Sequence, residues 1–143
     1  MGILYSEINY NNLIKNVGES CLTTASCGTC NMDKCLIGYS KICITNSLKG
    51  KVTYVLDGQE NIPLADGKIY DKGHLTDSIA DLLKQCKNCD KDHFENCLIN
   101  VLRNCYEILL FGDIQPYKGS TLLYLNDIKN LNSDLSREIL SKL

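Results

Sequence analysis

Two C-x-x-C segments constrain this chain more than any other feature, because such spacing brings two sulfurs to one side of a tight loop, where zinc or iron can hold both. The first segment reads Cys27-Gly28-Thr29-Cys30-Asn31-Met32-Asp33-Lys34-Cys35. The second reads Cys86-Lys87-Asn88-Cys89-Asp90-Lys91-Asp92-His93, with Cys97 following. Together they hold six of the nine cysteines. Asn31 and Asp90 follow the second cysteine of each pair. These residue types tolerate the left-handed backbone needed where N–H groups aim at a metal-bound sulfur. The spacing points to metal ligation.

A chain of 143 residues with 44% hydrophobic content is long enough for one core and short for two, so residues 1–143 are read as a single domain. A core of that size needs no covalent staples, which leaves ligation or reactivity to explain the cysteines. The formal charge of -2 and the lack of a basic cluster argue against a nucleic-acid footprint, which requires grouped Lys and Arg. No run approaches the roughly 20 apolar residues that cross a bilayer, and Met1–Ser6 lacks the basic lead of a secretory signal. The expectation is a cytoplasmic protein with reduced thiols, and neither a membrane nor nucleic acid as partner. Gly2 with Ser6 fits the loose myristoylation pattern, and Ser141-Lys142-Leu143 fits the peroxisomal address. Both patterns are short enough to recur by chance.

Along the chain, Ile8, Leu13, Ile14 and Val17 are spaced for one face of a short helix. The β-branched, apolar stretches Lys41 to Leu48 and Lys51 to Leu56 flank Lys49-Gly50 and read as a β-hairpin. Turns at Asp57-Gly58 and Asp66-Gly67, with Pro63 between them, leave Ile62 to Tyr70 as loop and at most a short edge strand. Thr76 followed by Asp77 reads as an N-cap and first turn, and Leu75, Ile79, Leu82, Leu83 and Cys86 recur at helical spacing. A long amphipathic helix follows from Asp92 to Phe111, stopped by Gly112 and Pro116. Ser120 is placed to cap a helix through Leu131, and Asn132 or Ser133 to begin a last one ending at Leu143. The predicted fold class is therefore α+β, a small antiparallel hairpin among four or five helices, stabilised by a cysteine metal site.

The helical wheel separates ligand candidates from core residues. Leu98, Val101, Leu102, Cys105 and Leu109 share one apolar face with Phe94 and Ile108, and Cys105 in its middle reads as a small buried hydrophobe. Cys97 lies at the edge of that stripe, where a ligand can sit. About 12 Å of helix axis separates Cys97 from Cys105, too far for one zinc ion. Ile99, Tyr106 and Leu110 form a second strip, which implies cover on both sides, within the domain or across a dimer. The chain is accordingly expected to be a monomer or homodimer.

The simplest constellation is one four-thiolate site of Cys27, Cys30, Cys86 and Cys89, with Cys35 and Cys97 as the next candidates. A rival keeps the segments apart, grouping Cys27, Cys30 and Cys35 with Cys21 or Cys43, and Cys86, Cys89 and Cys97 with His93 or an exogenous ligand. The surplus of thiolate favours an iron-sulfur cluster, including a 4Fe-4S cubane, whose iron corners accept wide spacing. The ferredoxin run C-x2-C-x2-C-x3-C-P is absent. Structural zinc is the alternative, in a module for protein interaction. Metal-free thiol redox chemistry fits less well, since it calls for a thioredoxin-like βαβ setting. His74, read in a loop, and His93 are further ligand candidates, with a solvated side chain as their ordinary role. Scattered Asp residues occupy turn and cap contexts, and no acid/base pair, P-loop, G-x-S-x-G or dinucleotide fingerprint identifies a reaction. The expected partner is another protein, in a redox or assembly role.

Overall fold

The computed structural model describes residues 8–21, 35–64, 70–85, 97–115, 117 and 120–143. Among them lie six helices: α1 Tyr10–Ser20, α2 Leu36–Gly50, α3 Lys72–Gln85, α4 Leu98–Phe111, α5 Thr121–Leu131 and α6 Ser133–Ser141. The described residues contain no strand, so the α+β expectation is corrected to an all-helical fold.

The hairpin expected over Lys41–Leu48 and Lys51–Leu56 fails for a clear reason. Its first half lies inside α2, where Leu36, Ile37, Ser40, Cys43, Ile44 and Ser47 are buried. Those positions recur every three or four residues, so a single helical face meets the core. The β-branched Ile42, Ile44 and Thr45 favour a strand, but β-propensity spans only about 1 kcal/mol and yields to burial of a continuous stripe. Gly50 is the last residue of α2 rather than part of a hairpin turn, and Lys51 closes the helix in the left-handed conformation at φ 54°. Tyr10 Oη donates to Ser47 Oγ at 2.6 Å, and Ser47 Oγ donates in turn to the Val52 carbonyl, which pins this exit. Among the described residues the one β-type contact is an isolated antiparallel bridge between Tyr54 and Cys97. The described part of Ile62–Tyr70 is turn and loop.

Other helix limits follow local chemistry. Asn9, Ser120 and Asn132 cap α1, α5 and α6, each side-chain oxygen accepting an N–H three residues on, at 3.1, 3.5 and 3.1 Å. The last two are the caps expected from sequence. Helix α3 starts at Lys72, ahead of the expected cap at Thr76, because Asp71 Oδ1 accepts the His74 N–H at 3.2 Å. Thr76 is instead fully buried inside the helix, donating to Glu138 at 2.5 Å and accepting from Lys142 Nζ at 2.7 Å. That pair of bonds fastens α6 onto α3. Gly112, at φ 83°, ends α4 where only glycine is unstrained.

Helices α1 to α4 pack antiparallel. The Asn9 N–H donates to Gln85, the Asn12 and Asn16 amides donate to Asp81, and Glu19 faces His74, so α1 and α3 run in opposite senses. Tyr10 against Ser47 sets α1 against α2, and Cys105 against Ser40 with Leu98 beside Thr53 sets α4 against α2. One end of the bundle therefore holds Cys21, Cys35, Tyr70 and His74. Asn9, Tyr54, Gln85 and Cys97 mark the other end. Ile99 and Tyr106 are both buried within the chain, while Leu110, the third member of their strip, is half-buried.

Burying α4 on all sides also buries Asn100, Arg103, Asn104 and Glu107. Asn100 Nδ2 donates to Asn104 Oδ1 at 3.4 Å, and Glu107 gathers the others: one carboxylate oxygen accepts from Asn104 Nδ2 at 2.8 Å and the Gln115 N–H at 3.1 Å. The other accepts from Arg103 Nε at 3.0 Å and Tyr124 Oη at 2.5 Å. The Arg103 guanidinium also lies 5.0 Å from the Tyr117 ring centre and 5.3 Å from that of Tyr124. This cluster joins α5 and the preceding loop to α4. Glu107→Leu strands a buried guanidinium and is expected to cost about 3–5 kcal/mol in urea denaturation, whereas Arg103→Met with Glu107→Leu costs distinctly less. Equal losses for the single and double variants would refute this role for the ion pair.

Candidate metal centre

The nine cysteines fall into four groups, the first of them Cys21 alone, half-buried at the C-terminal end of α1. Cys27, Cys30, Cys86 and Cys89, with His93, lie outside the described residues. Cys35 and Cys97 stand at helix starts. Cys43 and Cys105 are core residues carrying free thiols.

Cys35 is the N-cap of α2, and its Sγ accepts the Gly38 N–H at 3.4 Å. Tyr70 Oη lies 3.2 Å from the same sulfur. Tyr70 is buried and leads into α3, so the helix pairing brings this hydroxyl to the cysteine across 35 positions of sequence. At the same end Ser20, beside Cys21, is 3% exposed, and its Oγ has no hydrogen-bond partner among the described residues.

Cys97 is the N-cap of α4, buried, with its backbone in the bridge to Tyr54. It lies at the opposite end of the bundle from Cys35. Helix α2 alone has 15 residues and spans about 22 Å between those ends. Among the described residues no three His, Cys, Asp or Glu side chains converge as a metal site. Any site with three or more protein ligands of these types therefore draws on residues outside them. His74 is helical rather than in a loop, and its Nδ1 lies 3.7 Å from Glu19 Oε2.

Cys105 fulfils its expected core role, fully buried between α4 and α2. Burial pushes its thiol pKa strongly upward, against a smaller lowering from a hydrogen bond to Ser40. Burial likewise pushes the Cys43 thiol up to about 11, partly opposed by its bond to Tyr39. Both thiols stay protonated and unreactive at neutral pH. Alkylation of the folded, metal-free chain, read by peptide mass mapping, is expected to label Cys21 and Cys35 while sparing Cys43 and Cys105 until denaturant is added. Labelling of Cys105 at the rate of Cys35 would contradict the packing.

The same shifts set an alkaline limit. Because the folded thiols hold their protons more tightly than unfolded ones, the stabilisation is complete below the ordinary thiol value of 9.0 and declines as pH rises toward 11. Tyr39, Tyr106 and Tyr124, all raised first by burial, act in the same direction at higher pH. Urea midpoints should therefore fall steadily above pH 9.0. A flat midpoint across that range would refute the burial of these groups.

No protein-family model, curated protein or solved structure matches this chain. The site must be argued from its own residues. Sequence reading missed Tyr70 and Ser20, whose positions depend on helix pairing. Only the Gly38 N–H, three residues beyond Cys35, was open to inference from capping chemistry.

Proposed function

We propose that this chain is a cytoplasmic iron-sulfur protein, acting in electron transfer, redox sensing or the handling of metal and clusters, with another protein as its redox or assembly partner. The supporting observation is the setting of Cys35, a thiol at a helix N-terminus whose sulfur accepts the Gly38 N–H and lies within hydrogen-bond distance of the Tyr70 hydroxyl. Hydrogen bonds to ligand sulfur are what a protein uses to hold a thiolate and tune a cluster's potential. For location, no helix among the described residues is long and apolar enough to cross a membrane.

The anchors favour separate ligand groups over one shared site. Cys30 is five residues from Cys35 and reaches at most about 18 Å from it, whereas Cys86 directly follows Gln85 at the far end of α3. A site shared by Cys27, Cys30, Cys86 and Cys89 would need the first segment stretched along most of the bundle. Local groups need no such extension. Cys27, Cys30 and Cys35 with Cys21 form one group, and Cys86, Cys89 and Cys97 form the other, each able to accept an iron corner of a cluster.

Anaerobic purification followed by visible spectroscopy and assay of iron, sulfide and zinc tests this reading. A brown chain with matched iron and sulfide that bleaches with dithionite is the expected outcome. A colourless chain with stoichiometric zinc would replace it with a structural zinc module for protein interaction, and a metal-free chain would leave thiol redox chemistry. The paired variants Cys30→Ser/Cys35→Ser and Cys89→Ser/Cys97→Ser should each remove only part of the metal. Complete loss from either pair, with helicity retained, would restore the single shared site.

A further inference from the structure

An open apolar groove of about 480 Å³ runs between α1 and α2. Val17 and Ile44 form its buried floor, while Ile14 and Leu48 rise beside them, 51% and 40% exposed. The sequence periodicity assigns Ile14 to the core face of α1, yet nothing in the described fold covers it. Gly18 keeps one end of the groove open. It is helical, and a Cβ placed on it would meet nothing within 4 Å. The fold therefore has no steric need for glycine there, and glycine weakens a helix relative to almost any other residue.

Charge defines what fits. Lys41 and Lys49 border the groove, eight residues apart on α2, or about 12 Å along the axis. Neither pairs with a carboxylate among the described residues. A single-headed amphiphile carries its charge at one end and answers one of these lysines. A helix answers both, because side chains two turns apart on one face are separated by nearly the same distance. Helix-in-groove docking uses this combination of an apolar stripe and charged borders.

We propose that the α1–α2 groove docks an amphipathic helix of a partner protein, its apolar stripe bordered by acidic side chains about two turns apart. Isolated short helices are marginal in water, so the test uses a fluorescein-labelled, hydrocarbon-stapled helix with leucines at i, i+3 and i+7 and Glu at both borders. An otherwise identical helix carries Lys in place of Glu. Binding to the full, metal-loaded chain is read by fluorescence anisotropy. The acidic helix should bind at least about tenfold more tightly than the basic one, and Lys41→Glu/Lys49→Glu should reverse that order. Gly18→Leu should weaken the acidic helix at least about tenfold while raising the thermal midpoint, because it fills the groove and improves α1. Equal binding of the two helices, no binding, or affinity untouched by Gly18→Leu would overturn the proposal. Displacement of the acidic helix by laurate or by anionic phospholipid vesicles would also overturn it, and assign the groove to lipid. The charge-reversed pair keeps the test decisive if Gly18→Leu fails to fold.

Discussion

A helix buried on every side must satisfy its polar side chains without water, and α4 does so through the carboxylate of Glu107. Four donors converge on it, two from α4 itself, one from the following loop and one from α5. The remaining positions of α4 divide among its neighbours, with Cys105 against Ser40 of α2 and Tyr106 against Ser78 of α3. An uncompensated charge at this position would be far more costly than a lost apolar contact. The burial of the central helix, the attachment of α5 and the positions of α2 and α3 around it are therefore linked.

The antiparallel arrangement around α4 also distributes the cysteines. Those on inward faces, Cys43 and Cys105, are protonated, packed and chemically quiet. Those at helix boundaries, Cys21, Cys35 and Cys97, stand where the chain enters or leaves the bundle. An N-cap position can offer backbone N–H groups to a sulfur, as Gly38 does for Cys35, whereas at Cys43 and Cys105 desolvation outweighs the bonds to Tyr39 and Ser40. The same residue type thus serves two physical roles, separated by its place on a helix. The antiparallel packing puts Cys35 and Cys97 at opposite ends, and so sets how far each C-x-x-C segment would have to reach for the other.

Much of the helical layout was legible before the fold. Ser120, Asn132 and Gly112 mark boundaries by local hydrogen bonding and backbone preference, and they do so in the structure. The core stripe of α4 followed from its period, including the buried place of Cys105. The hairpin over residues 41–56 did not survive, because β-branched residues satisfy a local preference for strand and a helical burial pattern at once. Thr76 misled for a related reason: its hydroxyl serves α6 through Glu138 and Lys142 rather than a helix start. Of the candidate site, the spacing of Cys27, Cys30, Cys35, Cys86, Cys89 and Cys97 was visible in sequence. The hydroxyl that reaches Cys35 was not, since Tyr70 is distant along the chain.

The sequence by itself determined the inventory: two thiol-rich segments, a helical core with one long amphipathic segment, and the caps that end several helices. These depend on neighbours within a few residues, where backbone preference and side-chain period act directly. The tertiary structure decided the state of residues 41–48, the placement of Cys35 beside Tyr70 and of Cys97 at the opposite end, and the open groove beside Gly18. Each of these depends on which helical faces are buried together. Burial energy is a property of the assembled bundle, and no single segment carries it alone.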